Sequence, residues 1–271
     1  MHYVPGPPLS EFIAMFWYFR GHELSNAKER VLPTATVDLI IRLDSARTSD
    51  AGIFGPRTRS VVVQIKSGQE LIGVHFKPGG AIPFLQFPIE DLQNRGISLS
   101  DLWGEANAQR LLCMLQDTPT GEGKFWILEQ WLLRLAARGF ESHPVVTFAM
   151  RAFSSGPYGS AAEIAGKTGY SQRHFIEIFR NQVGMTPKRF HRLYRFRKVI
   201  ERVRRTTVVD WADVAHSLGA PHPQLSRIQW PHSYRVFRIA HAFHQSRSAS
   251  RLRSISYVNR RKHGKPNSKT A

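Results

Sequence analysis

In the stretch SQRHFIEIFRNQV (171–183), Gln172, Arg173, Glu177 and Arg180 fall at spacings that gather them on one side of a helix. Phe175 and Phe179, four apart, take the opposite side. The polar set suits the reading of base edges as well as the plain outer face of a helical hairpin. A glutamine amide matches the adenine edge, an arginine fork matches guanine, and a glutamate accepts from the cytosine amino group. On a helix set into the major groove of a duplex, which admits one helix, the polar side chains of 171–182 would read base edges. Ser171 stands just before it as the N-cap. Lys188, Arg189 and Arg192 follow the turn GMTP, and such charges hold register on phosphates without reading bases. No paired carboxylates at reactive spacing, nucleophile elbow, Walker loop or zinc-ligand spacing occurs, so neither an enzyme nor a cofactor is expected.

The surrounding residues supply the scaffold that this helix needs. Ser160–Lys167 reads as a short helix with Ile164 and Ala165 inward, and Gly169 suits the left-handed position past its end. Two short helices joined by a glycine turn, the second with a polar outer face, describe a helix-turn-helix. Thr186 is placed to cap a further helix and Pro187 to sit in its first turn. The apolar stripe of that helix is Phe190, Leu193, Phe196, Ile200 and Val203, with Lys188, Arg189, Arg192, Arg195, Arg197 and Lys198 around the rest.

Charge is divided unevenly. The chain of 271 residues carries a net charge of +18, yet residues 1–140 hold 14 Lys+Arg and 14 Asp+Glu. All of the excess lies in 141–271, as expected for a neutral sensing region joined to a polyanion-binding one. The one cysteine, Cys113, excludes an internal disulfide framework and suggests a reducing compartment. The start MHYVPGPPLSEFIAMFWYFRG has neither a basic n-region nor an apolar run of about 20 residues, so a cytoplasmic protein with no membrane partner is expected.

The first half reads mostly as strands. Val37–Leu43, Ser60–Lys66 and Glu70–Pro78 are β-branched runs bounded by Gly, Pro, Ser and Asp. The pattern turns helical around Asp91–Arg95, Leu99–Leu115 and Lys124–Arg138. The fold class is therefore α+β: a β-rich sensor domain with flanking helices over 1–140, then an all-α domain over 145–219. A ligand pocket near Arg57, His75, Lys77 and Phe84 is one reading; ordinary strand and turn residues are the other. His75 lacks the His-x-His neighbour of a cupin-type metal site.

The string IAGKTGYSQRHFIEIFRNQVGMTPKRFHRLYRF resembles the DNA-binding domain of the AraC/XylS family of bacterial transcription regulators. The resemblance spans about Val145 to Gly219 and is carried by Gly169, Tyr170, Ser171, Phe175, Phe179, Gly184, Thr186 and Pro187. It implies two helix-turn-helix units joined by a long linker helix, with Thr186–Arg204 as that linker. It further implies that Ser171–Asn181 lies in the major groove, with Gln172, Arg173 and Glu177 as base readers. VLPTATVDLIIRL, GPRTRSV and GVHFKPGGAIPFLQFP resemble, more loosely, a sensor domain found on some regulators of this family. Leu-Pro-Asp-Gly, frequent there, is Leu32-Pro33-Thr34-Ala35 here. Double-stranded DNA is the implied partner, and a small-molecule effector and a homodimer stay open.

A second unit begins and then stops. Asp210–Gly219 repeats Ser160–Gly169 without a gap, but Pro221 and Pro223 follow and no second Gly-x-Thr-Pro arrives. Regrouping the codons of GAPHPQLSRIQWPHSYRVF (219–237) by one base permits AHLIHSFREFNGLTPTEYF, which resembles the family's expected continuation. A shifted reading frame would make 220–271 an aberrant basic tail, expected to be disordered; its stretch 247–271 holds eight basic residues and no acidic one. Two other functions stay in view. One is a degraded family member that binds DNA without sequence preference. The other is a small-molecule-binding protein or enzyme acting through its N-terminal domain.

Overall fold

The computed structural model describes residues 1–21, 27–44, 50–85, 87–136, 139, 142–155 and 161–205. The second unit and the tail at 220–271 lie outside the described residues. The strands are β1 (His2–Tyr3), β2 (Ile13–Arg20), β3 (Ala27–Val31), β4 (Asp38–Arg42), β5 (Ala51–Phe54), β6 (Val61–Ile65), β7 (Glu70–Phe76) and β8 (Gly96–Ser98). Six of them form an antiparallel sheet in the order β1-β2-β7-β4-β5-β8, and β3 pairs with β6 in a separate ribbon. The helices are α1 (Leu99–Trp103), α2 (Glu105–Asp117), α3 (Gly121–Leu135), α4 (Pro144–Ser155), α5 (Ala161–Thr168), α6 (Gln172–Val183) and α7 (Pro187–Arg205). A β-rich region followed by helices is an α+β arrangement, as expected.

Alternation decides which face of the sheet is covered. Leu39 and Ile41 of β4, Ile53 of β5, and Ile72, Val74 and Phe76 of β7 are buried in one cluster. Leu111, Leu112 and Leu115 of α2 and Phe125, Leu128 and Leu132 of α3 belong to the same cluster. Met15 and Trp17 of β2, with Phe19, Ile40 and Leu71, make a smaller cluster of their own. Lys124 is buried where α3 meets the sheet: its ammonium donates to the Leu115 carbonyl at 2.5 Å and lies 3.7 Å from Glu70. The same Glu70 carboxylate accepts from the Tyr18 hydroxyl at 2.7 Å.

Two expectations from the sequence are corrected. The helix read over Leu99–Leu115 is two helices, because Gly104 takes φ 84° and ψ 149° between them and no helix passes through that conformation. The helical pattern read around Asp91–Arg95 is a short 3-10 helix placed earlier, Ile89–Leu92, after which a turn leads through Arg95 into β8.

Candidate nucleic-acid interface

Sequence builds the helical scaffold through a few local decisions. Gly169 ends α5 at φ +75°, where a side chain would be strained. The Ser171 hydroxyl accepts from the His174 backbone N–H at 3.3 Å, capping α6. Gly184 closes α6 in the left-handed conformation, its N–H donating to the Arg180 carbonyl at 2.8 Å. Thr186 then accepts from the Arg189 N–H at 3.4 Å, and Pro187 opens α7.

Packing fixes which side of α6 faces out. Phe175, Phe179 and Val183 are buried with Ile164 and Ala165 of α5 and Val146, Ala149 and Phe153 of α4. Phe179 meets Phe153 edge-on at 6.1 Å and Phe190 of α7 at 5.6 Å, so one ring ties three helices together. With that face committed, Gln172, Arg173, His174, Glu177 and Arg180 are left exposed. His174 lies 3.9 Å from Glu177 on this outer face. Ile176 and Ile178 flank it, partly buried against the same cluster.

The remaining site residues divide into two groups. Lys188, Arg189 and Arg192 are exposed along the first turns of α7. Arg180 and Arg189 also reach the β-rich region. The Arg180 guanidinium lies 2.5 Å from the Glu90 carboxylate, and Arg189 donates to the Gln93 amide oxygen at 3.2 Å. Gln93 in turn donates to the Gly184 carbonyl at 2.5 Å, satisfying a carbonyl left over at the end of α6. Glu90, Gln93, Arg180, Thr186 and Arg189 line a cavity of about 150 Å³ at this seam.

Along α7 the basic face is narrower than its sequence suggests. Phe190, Val199 and Ile200 are buried, while Arg197, expected on the open face, is half-buried. Burial lowers its pKa, opposed by the charges of Glu201 and Asp38 of β4. The side chain of Val203 lies outside the described residues. His191 stacks on Phe153 at 5.0 Å, and burial followed by the charge of Arg195 pushes its imidazole below its ordinary value.

The residues suggested for a ligand pocket are used separately. His75 Nδ1 lies 2.6 Å from Asp38, the Lys77 ammonium donates to the Ser10 carbonyl at 2.6 Å, and Phe84 is buried against Phe76. Arg57 lies over the Phe54 ring at 5.6 Å, in a cleft with other neighbours. Sequence reading missed His174, Glu90 and Gln93. His174 stands inside the polar face of α6 and was legible from its spacing; the other two act across the seam and carry no local signal.

Among the described residues no helix is long and apolar enough to cross a membrane. Residues 162–191 match the family described as bacterial regulatory helix-turn-helix proteins, AraC family. Residues 1–98 match a domain of unknown function, DUF6597, which covers the strands up to β8. No curated protein matches the chain.

Proposed function

The chain is an AraC-family helix-turn-helix protein, and from that premise we propose that it is a sequence-specific transcriptional regulator of bacterial genes. In this reading α6 lies in the major groove. Gln172, Arg173 and Glu177 read base edges, Ser171 and Arg180 stand at the two ends of the helix, and Lys188, Arg189 and Arg192 hold phosphates. Residues 1–140 form the regulatory domain and 145–219 the DNA-binding domain. The observation that carries the reading is the division of α6: Phe175 and Phe179 are fully buried while the residues between and around them on the outer side are exposed. The free face of α6 carries glutamine, arginine and glutamate, side chains that match base edges, next to the basic start of α7. Such a protein would act at the chromosome, in the cytoplasm.

A second reading comes from the broken repeat after Gly219: a protein that keeps one unit and binds duplexes through charge alone. Retardation of promoter DNA against random DNA separates the two. A preference for the promoter that survives physiological salt supports specific regulation. Equal affinity for both, falling steeply with salt, supports the charge-driven reading.

A further inference from the structure

A second cleft opens beside the seam, and its charge has one sign. It has a volume of about 510 Å³ and is lined by Arg57, Thr58, Arg59 and Ser60 from the turn entering β6, by Val61 of β6, by Gln93 and Asn94, and by Arg189 of α7. No carboxylate lines it. Among the described residues none pairs with Arg57, Arg59 or Arg189 in an ion pair. The turn that presents the two arginines is held firmly. The Thr58 N–H and hydroxyl both donate to Asn94 Oδ1, at 2.8 and 3.0 Å, and the Arg57 N–H donates to the Thr34 carbonyl at 2.8 Å. Stacking over Phe54 orients the Arg57 guanidinium.

We propose that the DNA-contacting surface continues onto the β-rich region, where Arg57 and Arg59 join Arg189 in holding the phosphate backbone of the duplex that α6 reads. The proposal rests on the reading of α6 as the groove-binding helix. Three features favour a duplex over an apolar small molecule or a free anion. Three arginines and four uncharged polar residues line it beside the one apolar residue, Val61, whereas small-molecule pockets are predominantly apolar. The cleft shares Gln93 and Arg189 with the cavity that contains Arg180 and its partner Glu90, so guanidinium groups run from α6 to the turn before β6, the Arg180 one paired with a carboxylate. Arg59 is exposed, as a contact to an extended backbone requires, and Arg189 follows α6 by a single short turn.

The test is the salt dependence of duplex binding by the full chain, read by fluorescence anisotropy, for wild type, Arg57→Gln/Arg59→Gln and Arg57→Lys/Arg59→Lys. Each lost phosphate contact lowers the slope of log affinity against log salt by about 0.9, so the Gln pair is expected to lower it by roughly 1.8 and the Lys pair to restore it. If the Gln pair loses its wild-type circular dichroism, Arg59→Gln alone takes its place, with an expected drop of about 0.9. An unchanged slope in a folded variant overturns the proposal. So does a cleft that serves a free anion: inorganic phosphate would then raise the thermal midpoint of wild type and not of the Gln pair, with the DNA slope unaltered. A wild-type chain that binds no duplex at all overturns the reading of α6, and this proposal with it. Duplex binding with an unchanged slope overturns this proposal alone.

Discussion

Glu90 of the 3-10 helix and Arg180 of α6 meet at 2.5 Å across the seam between the β-rich and helical regions. Arg180 keeps half of its side chain exposed, so the guanidinium is held at the edge of the face that α6 would turn toward DNA. One guanidinium cannot neutralise Glu90 and a phosphate fully at the same time. If Arg180 meets a phosphate, the contact would oppose DNA binding by the net strength of the pair, about 0–1 kcal/mol for a partly exposed ion pair.

Glu90→Gln keeps the shape and removes the competing charge. It is expected to tighten duplex binding by up to about fivefold and to steepen the salt slope by about 0.9. Thermal stability should change little. Anisotropy titrations over a range of salt decide the matter, and an unaltered slope would mean that Arg180 does not face the DNA backbone.

Two glycines with the same backbone sign should respond differently to a methyl group. At Gly169, φ is +75° and nothing lies within 4 Å of the added Cβ, so Gly169→Ala is expected to cost about 1–2 kcal/mol from conformation alone. At Gly184, φ is +80° and the Cβ would meet Ile89 at 2.7 Å and Pro56 at 2.8 Å. Overpacking adds to the conformational cost there, giving about 2–5 kcal/mol and a disturbed seam. Denaturant unfolding of both variants checks the ranking; equal losses would show that Ile89 and Pro56 yield without cost.

The contrast between these glycines also shows what the sequence could tell. Gly169, Ser171, Gly184, Thr186 and Pro187 act within a few residues of themselves, and their roles follow from local chemistry. The Phe175 and Phe179 stripe is legible for the same reason, since helical spacing alone chooses its side. β2 is less so: IAMFWYFR is an apolar run without clean alternation, and it becomes a strand because β1 and β7 pair with it from either side. Least legible are Glu90, Gln93 and the half-burial of Arg197. Each depends on a contact made by residues far along the chain, which no spacing records.

His191 gives the helical region a dependence on acidity. Its imidazole is held below its ordinary value of 6.5 by burial and then by Arg195. The unfolded chain therefore takes up a proton near 6.5 that the folded chain refuses until lower pH. The stability associated with this group is present above pH 6.5 and declines as pH falls toward the depressed folded value. His191→Gln should flatten the fall in thermal midpoint on acidification. An unchanged pH profile would show that another group governs it.

The division of labour proposed for the interface predicts different failures at its two ends. Arg173 stands in the first turn of α6 on the free face, where a guanidinium would meet a base edge. Losing one good bidentate base contact costs about 1–3 kcal/mol and relaxes preference at that base pair only. Lys188 stands at the start of α7 and would meet a phosphate. Its loss should weaken every sequence alike and lower the salt slope by about 0.9. Selecting bound sequences from a randomised duplex pool with wild type, Arg173→Ala and Lys188→Ala distinguishes the two behaviours. Arg173→Ala should return a pool degenerate at one position, and Lys188→Ala the wild-type pool at reduced affinity. A wild-type pool from Arg173→Ala would place that guanidinium on the backbone, and α6 would then enter the groove rotated away from the face described above.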